Sequence, residues 1–334
     1  MSSTGTKAVL LRATEKKLIL DEEQKAIYTG IVDPQWNVFA ISNGGYTLGI
    51  LLNCAQNFVV RRIGKQQKDL LSCSTSYFAG VSAKVPFTVE VRLLKKGKST
   101  SIVETDMLQK TAEDGGMLLC VRASAIFTDF ASLRSDSLLK QVSILPNDFS
   151  APVPPLISDP TDRSSEHPWW EKQKIPTVVE DKAAQDQAFQ KDGLLAVQSM
   201  YFPEEHVDEV DMGSYNITAL ALYSDTSGDF NRMMPKRLHK LTNNFRGFWF
   251  ATVRLSIEMA QPLPTLPLQK AVTRGKTRFL NEGRWCFEIE IWTHPTDADR
   301  LNLPKGTDSI LLAVCKQQAL SMSASVNKKT ASKL

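Results

Sequence analysis

Cysteine and histidine are scarce, with five and four copies in 334 residues. Cys54, Cys73, Cys120, Cys286 and Cys315 are odd in number, scattered, and form no C-x-x-C pair. That suits free thiols in a reducing compartment rather than a disulfide framework. His167, His206, His239 and His294 show no H-E-x-x-H or related spacing, so no metal site is expected. Charge of one sign is missing too: 40 basic residues face 36 acidic ones, a net of +4. Such a balance excludes a dedicated nucleic-acid binder. No uncharged apolar run reaches the roughly 18 residues of a membrane span. The opening MSSTGTKAVLLRATEKKL lacks a long apolar segment, so no secretory signal peptide is expected. Asn216-Ile217-Thr218 fits a glycosylation sequon and, without secretion, is expected to be a chance match.

What is present is an ordinary globular composition, 42% apolar and 23% charged, long enough for one large domain or two. Ser332-Lys333-Leu334 reads as a peroxisomal address recognised by an import receptor, and predicts the peroxisomal matrix. The polar SVNKKTA before it is expected to stay solvated and leave the tripeptide reachable.

Seven of the sixteen prolines lie between Leu145 and Val178. Proline removes backbone donors and restricts the residue before it, so this stretch predicts a linker rather than a helix or central strand. Its His167-Pro168-Trp169-Trp170 is expected to pin it by local packing. Residues 1–140 and 191–324 then form two units, with 141–190 between them and 325–334 as a tail.

The two units share a grammar. In the first, Asn43-Gly44-Gly45 precedes Leu48, Leu51, Leu52, Ala55, Phe58 and Val59 at helical spacing. The helix is apolar on more than one face and is expected to be wrapped by sheet. Period-two strands follow at Phe87–Leu93, Ser101–Gln109 and Met117–Phe127, the last after Asp114-Gly115-Gly116. In the second, a strand at Leu194–Phe202 precedes a helix opening near Ser214. Strands at Phe248–Met259, Val272–Phe279, Trp285–Trp292 and Ile310–Leu320 come next. Each unit reads as α+β, one helix against an antiparallel sheet.

A helix opened by a Gly-Gly pair, then an antiparallel sheet, twice in one chain, resembles the double hotdog fold of the type II acyl-CoA thioesterases. GGYTLGILLNCA looks like that family's GG-containing helix start, and SYFAGVSAKVPFTVEVRLLKKGKSTS is similar to its S-Y-F-L-R-P-G and V-E-x-L-R-D-G-x-S passage. ETDMLQK and CVRASAIF resemble its next two strands. ALALYSD looks like its L-L-A-Y-x-S-D helix, TVRLSIEMAQPL its T-x-D-H-S-x-W-F-H-R-P-F strand, and LAVCKQQA its V-A-S-x-x-Q-E-G strand. The likeness covers about residues 35–130 and 190–322.

By that alignment the family's catalytic positions fall on Asp225, Thr252 and Gln317, which the resemblance implies bind and activate the water that attacks a thioester. A desolvated carboxylate makes a general base, and a hydroxyl and an amide offer neutral hydrogen bonds to orient water or an oxyanion. Gly44 and Gly45 are candidate oxyanion donors through their backbone N–H groups. By residue type alone, Asp225 serves equally as a helix cap, Thr252 as an ordinary strand residue and Gln317 as part of a polar face. The family's Asp-His becomes Arg254-Leu255, and its short hairpin before Gln317 becomes the long Thr293–Asp308 loop. Lys95, Lys96 and Lys98 read as a solvated cluster rather than coenzyme ligands.

The expected activity is acyl-CoA hydrolysis, with no metal or organic cofactor. Hydrolysis or transfer of a specialised acyl chain, as in secondary metabolism, and a non-catalytic acyl-CoA-binding hotdog protein are the alternatives. The expected partners are the thioester substrate and the import receptor, with no nucleic acid. Two hotdog units in one chain imitate a hotdog dimer, and the resemblance implies homo-oligomers.

Overall fold

The computed structural model of the chain describes residues 8–38, 40–111, 115–136, 177–180, 195–202, 206–225, 248–303, 305, 307 and 309–323. A short helix α1 (Val9–Ala13) leads into β1 (Lys17–Asp21) and β2 (Lys25–Gly30), and a small β3–β4 hairpin (Asn37–Val38, Ile41–Ser42) precedes α2 (Gly44–Arg62). Then come β5 (Asp69–Tyr77), β6 (Phe87–Lys96), β7 (Thr100–Lys110), β8 (Met117–Thr128) and α3 (Phe130–Asp136). The second unit comprises β9 (Thr177–Glu180), β10 (Leu195–Tyr201), α4 (Glu209–Asp225), β11 (Phe248–Met259), β12 (Lys270–Asn281), β13 (Arg284–Thr293) and β14 (Leu311–Ser323).

Helix α2 forms where its sequence says it should. The Asn43 side chain accepts the Tyr46 N–H at 2.9 Å, capping the first turn. Arg61 and Arg62 complement the negative end of the helix dipole, and Gly64 at φ +124° follows, a conformation that favours glycine. Leu48, Ile50, Leu51, Leu52, Cys54, Ala55 and Phe58 are all fully buried. These positions surround the helix, so it lies inside the sheet's concave face as expected. Burying each large side chain is worth about 1.5–3 kcal/mol.

Among the described residues, twelve strands form one antiparallel sheet in the order β1-β2-β6-β7-β8-β5-β11-β14-β13-β12-β10-β9. Read outward from the centre, both halves have the same connectivity. The two hotdog sheets meet where β5 pairs with β11, and Ser74 opposite Ser256 marks the pseudo-twofold axis. A register shift lies between Leu70 and Ser72 in β5, and another between Thr252 and Arg254 in β11. The extra residues, Leu71 and Val253, are equally far from that axis.

The two expected sheets join edge to edge, and three details differ from the sequence reading. Strand β5 lies between α2 and β6, where no strand was expected. Strands β1 and β2 precede α2, where only a helix followed by strands was expected. Strand β9 falls inside the stretch assigned to the linker and pairs with β10 at the sheet edge. It follows Pro176 directly, and an edge strand tolerates such a neighbour. His167-Pro168-Trp169-Trp170 and Ser332-Lys333-Leu334 lie outside the described residues.

Candidate active site at the junction of the repeats

Helices α2 and α4 pack side by side in opposite directions, closely enough that small residues are required. A Cβ on Gly45 would lie 2.6 Å from the Ala221 carbonyl oxygen and 2.8 Å from Asp225 Cβ, and one on Gly49 would lie 2.9 Å from Thr218 Cγ2. This approach brings the C-terminal residue of α4, Asp225, to the N-terminus of α2. A carboxylate at the end of its own helix faces an unfavourable dipole, whereas the start of a neighbouring helix offers free N–H groups.

Asp225 Oδ2 accepts the Gly45 N–H at 2.8 Å. Its Oδ1 accepts the Thr252 hydroxyl at 3.0 Å and the Gln317 amide Nε2 at 2.6 Å. Gln317 Nε2 also donates to Thr252 Oγ1. The three residues proposed from the sequence therefore converge on one carboxylate. Burial pushes the Asp225 carboxyl from its ordinary 3.8 up to about 6, against the lowering pull of Gly45, Thr252, Gly44 and Gln317.

The strands explain how these side chains arrive. Gln317 is buried among the inward residues Ala313, Cys315 and Ala319 of β14. On β11 the inward residues are Leu255 and Ile257, and strict alternation would send Thr252 to the opposite face. The bulge at Val253 inserts one residue and returns Thr252 to the inner face. Leu255 is fully buried in register with Gln317, and Arg254 is exposed to solvent on the other face. The trio's hydrogen bonds thus form with neither member of the family's Asp-His pair.

Gly44 and Gly45, the candidate oxyanion donors, both direct their N–H groups at Asp225 and hold its carboxylate. Gly44 must be small for the same reason: a Cβ there would sit 2.8 Å from Asp225 Oδ2. Tyr77, at the end of β5, was missed by the sequence reading. Its hydroxyl donates to the Gly44 carbonyl at 2.9 Å, and the first repeat in this way supplies part of the site.

The twofold-related position lacks this chemistry. A Cβ on Gly213, near the start of α4, would meet Gln56 Oε1 at 3.3 Å, as one on Gly44 would meet Asp225. Leu70 precedes the β5 bulge as Thr252 precedes that of β11, and Ala125 pairs with Cys73 as Gln317 pairs with Leu255. Gln56, Leu70 and Ala125 therefore stand where the second repeat has Asp225, Thr252 and Gln317.

Other residues singled out earlier are structural. His294 Nε2 lies 2.8 Å from the Tyr201 hydroxyl and anchors the Thr293–Asp308 loop to β10. Burial pushes its pKa down to about 4, so the ring is neutral at pH 7. Asn216 is buried and donates to the Pro264 and Leu266 carbonyls, which makes it a packing residue. All five cysteines are buried and free of disulfides. No helix among the described residues is long and apolar enough to cross a membrane.

Residues 32–128 match the family of acyl-CoA thioesterase N-terminal domains. Among solved structures, a putative thioesterase II from Thermobifida fusca is 16% identical with a TM-score of 0.61, covering 95% of this chain and 98% of that one. The acyl-CoA thioesterase II TesB2 of Mycobacterium marinum is 13% identical with a TM-score of 0.62, covering 94% and 98%. A hot dog-fold protein of unknown function from Alicyclobacillus acidocaldarius is 18% identical with a TM-score of 0.58, covering 95% and 99%. At these identities the structures speak for the fold. No curated protein sequence matches. The first repeat thus matches an acyl-CoA thioesterase N-terminal domain, and the chain as a whole shares the double hotdog fold of these structures.

Proposed function

We propose that this chain hydrolyses acyl-CoA thioesters with a water molecule activated by Asp225 and oriented by Thr252 and Gln317. The observation that carries the reading is the convergence of carboxylate, hydroxyl and amide on one point, with the carboxyl raised to about 6. Such a group is ionised at pH 7 yet basic enough to accept a proton.

In the reaction, Asp225 removes a proton from water as the water oxygen bonds to the thioester carbonyl carbon. The Thr252 hydroxyl and the Gln317 amide turn from the carboxylate toward the water and the developing oxyanion. The C–S bond then breaks, and the proton held by Asp225 passes to the departing coenzyme A thiolate. Acid and free thiol leave. No metal or redox group takes part in this scheme.

A panel of acyl-CoAs of increasing chain length, read with a thiol-reactive dye, tests the proposal. Free coenzyme A is expected from the wild type. Thr252→Ala is expected to lower kcat by about 100-fold, the usual cost of one oriented hydrogen-bond donor. Tight acyl-CoA binding with no thiol released would favour a non-catalytic binding protein instead. Delivery to peroxisomes through Ser332-Lys333-Leu334 belongs to the same proposal: a fluorescent fusion ending in this tail is expected to be punctate in cells, and diffuse once Leu334 is removed.

A further inference from the structure

We propose that Tyr77 is a positioning residue that tunes the Asp225 carboxylate through the Gly44–Gly45 peptide unit. The Tyr77 hydroxyl donates to the carbonyl of that peptide at 2.9 Å, and the N–H of the same peptide donates to Asp225 Oδ2 at 2.8 Å. A hydrogen bond accepted at the oxygen of an amide draws electron density toward it and makes the N–H a better donor. The phenol on β5 and the carboxylate on α4 are thus linked by a chain of two bonds through the first turn of α2. Thr47 Oγ1 also donates to the Gly44 carbonyl, at 2.9 Å, and reinforces the same polarisation.

The groups around Asp225 make this route effective. Among the described residues, those bonded to it are the N–H groups of Gly44 and Gly45 from α2, Thr252 from β11 and Gln317 from β14, all neutral. Tyr77 from β5 is a titratable group placed to act on it through that peptide, and burial beside that carboxylate pushes its own pKa well above the usual 10, so it remains a donor throughout the working range. With these four bonded partners all neutral, the strength of the peptide donor is a principal control on when Asp225 ionises. The inference rests on Asp225 as the base but makes its own claim, that ionisation of Asp225 responds to a hydroxyl it does not touch.

Tyr77→Phe removes the hydroxyl and keeps the ring packed against Gly44. Two readouts separate tuning from support. First, the acid limb of kcat/KM is expected to move to higher pH by a few tenths of a unit. The variant's deficit therefore grows as pH falls; a purely structural defect would lower the rate equally at every pH. Second, the Gly45 amide proton reports the carboxylate directly and needs no turnover. In glycine-labelled protein a carbon–nitrogen filter selects the two Gly-Gly sequences, Gly44-Gly45 and Gly115-Gly116. The resonance that titrates near pH 6 and vanishes in Gly45→Ala is that of Gly45. Its midpoint is expected to rise in Tyr77→Phe. An unchanged or lowered midpoint would overturn the inference, even in a wild type that hydrolyses acyl-CoA. A wild type that releases no coenzyme A would instead remove the proposed activity and leave the titration result standing.

Discussion

Asp225→Asn is expected to lose turnover by about 100- to 10,000-fold while gaining thermal stability. The loss follows from removing the only carboxylate among the three converging groups, at the usual contribution of a positioned base. The gain follows from linkage. The folded-state pKa of Asp225 is raised to about 6 from its ordinary 3.8, so between these values the folded protein binds more protons than the unfolded chain. Stability therefore falls as pH rises through that window, and at pH 8 the protein carries the full cost of an ionised, desolvated carboxylate, on the order of 3 kcal/mol at most. Asparagine resembles the neutral acid and can still accept the Gly45 N–H, so it escapes that cost. Calorimetry at pH 8 should place the variant a few degrees above the wild type, with the gap closing below about pH 4. The wild-type kcat/KM should fall tenfold per pH unit on the acid side of about 6. A variant that hydrolyses at the wild-type rate would remove Asp225 from the mechanism.

The second large effect is expected from Gly45→Ala. The added methyl would lie 2.6 Å from a backbone oxygen of α4 and 2.8 Å from Asp225 Cβ. Neither is the end of a flexible side chain, so the helices must separate. Overpacking of this kind costs about 1–3 kcal/mol, and the carboxylate moves away from both the N–H groups and the strands that carry Thr252 and Gln317. Denaturant unfolding and the acyl-CoA assay should both register it. Gly44→Ala is the informative companion: its methyl meets the Asp225 Oδ2 atom, 2.8 Å away, rather than main chain, so activity should fall with a smaller loss of stability.

The elements with strong local patterns were legible in the sequence. Leu48 to Val59 could only be a helix buried on several faces, and the alternation in Phe87–Leu93 and Phe287–Ile291 could only be strands. The missed strands lack such patterns. In β1 the residues Lys17, Leu18 and Ile19 are all exposed, β5 is rich in serine and threonine, and β9 has four residues next to a proline. Edge position and half-burial remove the hydrophobic signal that alternation needs. The site was legible only through its likeness to a family. From the inward residues Leu255 and Ile257, Thr252 counts onto the wrong face, because nothing in the sequence announces the bulge at Val253. That Gly44 and Gly45 hold Asp225 depends on the packing of two helices whose contacting residues, Gly45 and Asp225, lie 180 apart in sequence. Local reading contains no term for such a contact.

The related trio Gln56, Leu70 and Ala125 has a bearing on stoichiometry. Leu70 and Ala125 are apolar and deeply buried, and Gln56 donates to the Lys68 carbonyl, so this mirror position has been turned over to core packing. A tight-binding mimic of the tetrahedral intermediate should saturate at one equivalent per polypeptide.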